Sequence, residues 1–158
     1  MIDSSTTALY VAQNINIHKK KVTVITNSIK TVEELQDSKW VKIICIGGSL
    51  RKTTKSFSGT QALFQLSNLY ANKAFISCTA IHNKFGVTDD SEREGEIRKK
   101  MLLNSEKVFL IADKTKFDDL ESHLIAKLDE VDYIITEQEL SKEWEEDLKE
   151  NKVKLIYA

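Results

Sequence analysis

Short apolar runs alternate along this chain with stretches in which apolar residues recur every three or four positions. Lys21–Thr26, Val41–Ile46, Ala74–Cys78, Val108–Ala112, Tyr133–Thr136 and Val153–Tyr157 are rich in β-branched and aromatic residues and predict strands. Between them the 3.6-residue period predicts helices. One begins at Ala8, with Leu9, Val11, Ala12 and Ile15 on its apolar side; others cover Ile29–Ser38, Gly59–Tyr70, Ser91–Asn104 and Ser141–Glu150. Ser91 with Glu94 three positions on is a capping-box pattern. Near-continuous apolar strands imply a sheet covered on both faces. Their alternation with helices of about ten residues implies βα units and parallel pairing. The expected fold is therefore α/β, a three-layer Rossmann-like domain around a parallel sheet. Nothing along the 158 residues looks like a linker, a low-complexity stretch or an internal repeat, and the length fits one domain.

In such sheets ligands bind beyond the carboxyl ends of the strands. The polar punctuation falls at those ends: Asp3–Thr7, Thr26-Asn27-Ser28, Gly47-Gly48-Ser49, Thr79 and Asp113–Phe117. Any one of these could be an ordinary capped loop. Five together predict one shared crevice. The segment Asp3-Ser4-Ser5-Thr6-Thr7-Ala8 stands out, because a hydroxyl-rich loop opens directly into a helix. A helix start presents unpaired N–H groups and the positive end of the dipole, which suits a phosphate. Only Met1 and Ile2 precede Asp3, whereas a strand usually has about five residues. The first strand is therefore expected to be a stub, and the chain to be part of something longer. Gly47-Gly48 would let backbone approach a ligand, or simply make a turn.

Charge and composition narrow the chemistry. The 23 basic and 24 acidic residues give a net charge of -1, with 41% hydrophobic and 30% charged residues. That suits a globular domain and argues against a basic nucleic-acid face. The one basic cluster, His18-Lys19-Lys20-Lys21, is expected to be a solvated loop. No apolar run has membrane-spanning length and no secretory signal is seen, so the expected setting is cytoplasmic, with no membrane partner. Cys45 and Cys78 are flanked by apolar residues and are expected to be reduced core residues. No catalytic residue, metal or cofactor is expected. His18, His82 and His123 lack a catalytic setting, and no metal-ligand spacing, dinucleotide fingerprint, Walker A loop or nucleophile elbow occurs. The acids Asp89, Asp90, Glu92 and Glu94 could work as paired carboxylates on a sugar. For most of them the expected role is at the positive end of a helix. Glu94 and Arg98 are spaced to pair along that helix.

These segments, in order, resemble the sensor domain of DeoR-type bacterial transcriptional repressors. The resemblance is carried by Asp3-Ser4-Ser5-Thr6-Thr7-Ala8; Thr26-Asn27-Ser28; Gly47-Gly48-Ser49-Leu50-Arg51; Ser56-Phe57-Ser58-Gly59; Lys73-Ala74-Phe75-Ile76; Gly86-Val87-Thr88; Glu94 with Arg98 and Met101; and Ala112-Asp113-Lys114-Thr115-Lys116-Phe117. It covers essentially the whole chain. It implies the fold of ribose-phosphate isomerase, glucosamine-phosphate deaminase and CoA transferases. It also implies a single effector-binding domain over residues 1–158, with a phosphorylated sugar as effector and a dimer or tetramer as the assembly. Operator DNA would be bound through a preceding winged helix-turn-helix that is missing here. By position, Ser4, Ser5, Thr6 and Thr7 would hold the phosphate. Asp3, Asn27, Gly47, Gly48 and Thr79 would line the sugar pocket, and Arg98 and Lys116 would add positive charge. The family usually has lysine where Arg98 stands. It tends to read Thr-Pro-Asp where Asp89-Asp90-Ser91 stand, and often has Gly-Ala-Asp-Gly in place of Cys78-Thr79-Ala80-Ile81. The rival reading is an isomerase or deaminase on the same fold, which would need a placed base with an orienting partner. A pure oligomerisation module would not need the phosphate loop.

Overall fold

A computed structural model describes residues 1–158. The order of elements is α1 (Thr6–Ile17), β1 (Val22–Thr26), α2 (Ile29–Leu35), β2 (Val41–Cys45), β3 (Ser49–Arg51), β4 (Ser56–Ser58), α3 (Thr60–Leu66) and β5 (Ala71–Ile76). It continues with β6 (Ala80–His82), β7 (Gly86–Asp89), α4 (Glu92–Leu103), β8 (Ser105–Ile111), β9 (His123–Ala126), β10 (Tyr133–Thr136), α5 (Lys142–Glu150) and β11 (Lys154–Tyr157).

The main sheet is parallel throughout, as the apolar runs predict. β2 pairs with β1, and β5, β8, β10 and β11 pair in that spatial order. Met1-Ile2 is the stub that joins the two groups. Ile2 bridges Thr26 on one side and Phe75 on the other, both parallel. Its amide donates to the Ile25 carbonyl at 2.9 Å, and Phe75 N donates to Met1 O at 2.9 Å. The stub is thus the middle of the sheet, and its carboxyl end delivers Asp3 to the same edge as the ends of β1, β5 and β8.

The helices divide between the two faces. α1 and α2 lie over Ile2 and Val24, burying Ala8, Ala12 and Leu35. The larger core, with Leu66, Ile76, Ile97, Met101, Leu110 and Ile134 among its members, lies on the opposite face under α3, α4 and α5. Fully burying one such side chain contributes roughly 1.5–3 kcal/mol. The covering is less complete than a three-layer reading implies. On the α1 face Phe75, Phe109 and Tyr133 stack in a row across β5, β8 and β10, with centroids 4.9 and 4.5 Å apart. These rings stay partly exposed, and Lys73 and Lys154 sit over Phe109 and Tyr133.

Other expectations shift. α2 and α3 stop at Leu35 and Leu66, three or four residues early. Asn104, the C-cap of α4, donates to the carbonyls of Leu66 and Leu69 at 2.7 and 3.1 Å and so fixes the end of α3. Cys78 is buried, but Cys45 is exposed, because β2 is the sheet's edge strand. The antiparallel hairpin β3–β4 and the antiparallel sheet β6–β7–β9 carry no strong alternation and were not legible as strands. No helix is long and apolar enough to cross a membrane.

Candidate functional site

Asp3 leaves the central stub at the carboxyl edge and is 1% exposed. Its Oδ1 accepts from the amide and hydroxyl of Ser5, at 3.0 and 2.6 Å. Its Oδ2 accepts from Ser77 N at 3.0 Å and Arg98 Nε at 2.8 Å. Four donors satisfy the carboxylate, so its role is to shape the loop. Ser5 in turn caps α1 by accepting from Ala8 N at 3.0 Å. With Ser5 N and Ala8 N engaged, the amides of Thr6 and Thr7 are the ones at this helix start with no acceptor within the chain. Thr6 is exposed and Thr7 half-buried, so solvent reaches them. The expected anion seat over Ser5–Thr7 is narrower than the sequence suggests. Ser4 turns inward, and its hydroxyl donates to Glu94 Oε2 at 3.0 Å.

Arg98 does not pair with Glu94. Its guanidinium reaches Asp3 and Asp89, and its side chain is 11% exposed. The reason is competition: two buried carboxylates on other elements attract the charge more strongly in a low-dielectric interior than a neighbour along the helix does. Burial opposes the charge on Arg98, but Asp3 and Asp89 outweigh it and push the guanidinium pKa up. Burial pushes the Asp89 carboxyl up as well, against the pull of Arg98 and of the Ser91 amide. Asp89 Oδ1 also accepts from Ser91 N at 3.0 Å, the bond the expected capping box would have given to Glu94. Ser91 does accept from Glu94 N, at 3.5 Å.

The acidic cluster therefore splits. Asp90 and Glu92 are exposed, and Glu92 sits in the first turn of α4 as the dipole favours. Glu94 also lies in that first turn but is a buried framework group as well, and Asp89, on β7, is framework rather than a helix-start acid. Glu94 Oε1 accepts from Ser56 Oγ at 2.6 Å and Thr54 Oγ1 at 3.4 Å, and lies 3.7 Å from Arg51 Nη1.

The other expected positions divide into those that join this corner and those that do not. Lys116 Nζ donates to Ser77 Oγ at 2.9 Å, which brings it beside Asp3; its ion pair with Asp113 is long, at 3.9 Å. Asn27 is fully buried. Its Nδ2 donates to Phe57 O at 2.9 Å, and its Oδ1 has no partner. Gly48 has a φ of +146°, and a Cβ there would lie 2.7 Å from Ser58 O, so the hairpin base can close only over glycine. Gly47 N donates to Gln65 Oε1 at 3.3 Å. Thr79 is exposed and donates to Asp90 at 3.2 Å, on the side of the β6–β7–β9 sheet.

Sequence reading missed Ser56, Ser77, Asp89 and Glu94 as site framework. Ser77 had a signal, as the polar residue inside the apolar run Ala74–Cys78. Ser56 and Glu94 stand in the segments that carry the family resemblance, but nothing local pointed to their pairing, which spans 38 residues of chain. No group of three His, Cys, Asp or Glu side chains is arranged to hold a metal ion.

Comparison with known proteins places this geometry in context. The model of the DeoR C-terminal sensor domain matches residues 1–138. An uncharacterized HTH-type transcriptional regulator, YulB, of Bacillus subtilis (strain 168) is 34% identical over 155 residues, 98% of this chain and 59% of that protein. The HTH-type transcriptional repressor GlcR of the same organism is 31% identical over 138 residues, covering 87% of this chain and 52% of the relative. The lactose phosphotransferase system repressor of Lactococcus lactis subsp. lactis is 34% identical over 122 residues, or 77% and 47%. The chain thus spans about half the length of the curated relatives it matches.

Proposed function

Since the chain belongs to the DeoR C-terminal sensor-domain family, we propose that it binds a phosphorylated sugar at the carboxyl edge of the main sheet and acts as the sensing part of a transcriptional repressor. The observation that carries this is the pair of free amides at Thr6 and Thr7, on a loop held by Asp3; Lys116 reaches the same framework through Ser77. A dianionic phosphate suits two free N–H groups at a helix start with a cation nearby. Ser4 and Ser5 support the seat from below, one through Glu94 and one as the cap. The names of the relatives, a lactose phosphotransferase system repressor among them, agree with a sugar-derived effector.

In the longer protein, effector binding here would alter the DNA affinity of a separate DNA-binding segment, most naturally within a cytoplasmic homo-oligomer. An isomerase or deaminase would need a free base at the sugar. Here Asp3, Asp89 and Glu94 are each committed to donors of the framework, which supports sensing over turnover.

A thermal-shift panel of sugar phosphates tests the reading. A ligand at about a hundred times its dissociation constant stabilises by roughly 2.7 kcal/mol, and the effect should vanish for the matching unphosphorylated sugar. Turnover of a ribose or glucosamine phosphate by the purified chain would favour the enzyme instead.

A further inference from the structure

Glu94 lies one turn before Arg98 on α4 and is 3% exposed. Arg98 is engaged elsewhere, so the carboxylate's ion-pair partner is the exposed Arg51. Its two oxygens serve different segments. Oε2 holds Ser4, next to the loop that opens α1. Oε1 holds Ser56 of β4 and Thr54 of the β3–β4 turn. These contacts occupy both oxygens, so Glu94 is poorly placed to bind a ligand and well placed to connect two segments that have no sequence proximity.

Resting on the anion seat proposed above, we infer that Glu94 is a positioning residue that couples that seat to the β3–β4 hairpin. Ser4 adjoins Ser5, the cap of α1, so a closing movement of the loop on an anion moves the Ser4 hydroxyl. The Ser4 and Ser56 hydroxyls at Glu94 are buried, and a buried polar group that loses its partner carries the full desolvation penalty. The low-cost response is for the carboxylate to follow Ser4 and for Ser56 to follow the carboxylate. The hairpin can respond as a unit. Its strands are three residues each, and its base is tied down at Asn27 by the bonds from Phe57 N and to Phe57 O. Its outer surface, Leu50, Arg51 and Lys52, is exposed, so a shift there changes what the domain offers to a neighbouring segment.

The test is a titration of the 15N-labelled chain with inorganic phosphate, following the amides of Thr6 and Thr7 and those of Leu50, Arg51 and Ser56. Both groups should shift with one dissociation constant. Glu94→Gln keeps the shape and one oxygen; the one serine that faces the new NH₂ turns its hydroxyl to accept, so the fold is retained, while the charge that strengthened both contacts is lost. In this variant the Thr6 and Thr7 shifts should persist with affinity weakened by about tenfold, the equivalent of one lost hydrogen bond. The hairpin shifts should shrink severalfold. Ser56→Ala, which removes the hairpin's own hydroxyl from Glu94, should silence them. A silent Thr6–Thr7 pair in the wild type overturns the seat and the coupling with it. Shifts at Thr6 and Thr7 with a silent wild-type hairpin, or a hairpin response that survives both substitutions, overturn the coupling and leave the seat standing.

Discussion

Arg98 Nε donates to Asp3 Oδ2 at 2.8 Å, across 95 residues of chain. Through the same guanidinium Asp3 is joined to Asp89. The stub of the central strand, α4 and β7 are therefore locked at one point, directly beneath the loop that carries the free amides.

Arg98→Ala is expected to cost stability before it costs affinity. It would leave two buried carboxylates facing each other without a cation, and breaking a buried pair from one side typically costs 3–5 kcal/mol, here taken as about 4. Arg98→Lys should recover part of this, since an ammonium supplies the charge without the two-sided fork. Urea denaturation of the three proteins checks it. A midpoint for Arg98→Ala within error of wild type would show that the ion pairs contribute nothing net.

The Asp89 carboxyl gives the domain a pH signature. Burial raises its native pKa above the ordinary 3.8. A raised native pKa means that the folded state binds the proton more tightly. The stability linked to this group is therefore complete below the unfolded value and is lost as pH rises through the native one. Asparagine does not titrate. The stability of wild type relative to Asp89→Asn should accordingly fall as pH rises from the unfolded value through the raised native one. Urea midpoints across that range measure it, and a difference that grows with pH would mean that Arg98 outweighs the burial.

Lys116→Ala should behave in the opposite way to Arg98→Ala. Its ion pair with Asp113 is long and partly solvated, and such pairs contribute under about 1 kcal/mol. Its bond to Ser77 places the ammonium beside Asp3, where an anion would feel it. Loss of a charge-assisted bond of about 1.5–3 kcal/mol predicts a roughly ten- to hundredfold weaker affinity for the effector. Calorimetric titration paired with a melting curve separates the two effects. A large drop in melting temperature with unchanged affinity would make Lys116 purely structural.

The two cysteines should label at very different rates. Burial pushes the Cys78 thiol up to about 12, with Lys116 and Arg98 pulling only weakly the other way. Cys45 is exposed on the edge strand, although partial burial raises its thiol too. Alkylation proceeds through the thiolate. Iodoacetamide at mildly alkaline pH should modify Cys45 first and Cys78 only once denaturant is added, as read by mass spectrometry. Equal rates in the folded protein would contradict the burial of Cys78.

The sequence by itself determined the class of fold and the sheet edge to which the candidate site residues belong. Apolar runs of four to six residues bury both faces of a parallel strand, and Tyr133–Thr136 was legible to the residue because such runs are a local property. The hydroxyl-rich opening of α1 was legible for the same reason, as was the cap Ser91, since capping is decided within four residues. Tertiary structure alone decided the partners of the charged groups. Spacing paired Glu94 with Arg98; the folded chain gives Glu94 to Ser4 and Ser56 and gives Arg98 to Asp3 and Asp89. It also decided that Ser5 N is spent on Asp3, that Cys45 lies on an edge, and that β6, β7 and β9 pair at all. The physical reason is common to these cases. Hydrophobic periodicity and capping act over a few neighbouring residues, whereas the strength of a charge–charge or hydroxyl–carboxylate contact depends on distance and burial, which are set only when distant segments meet.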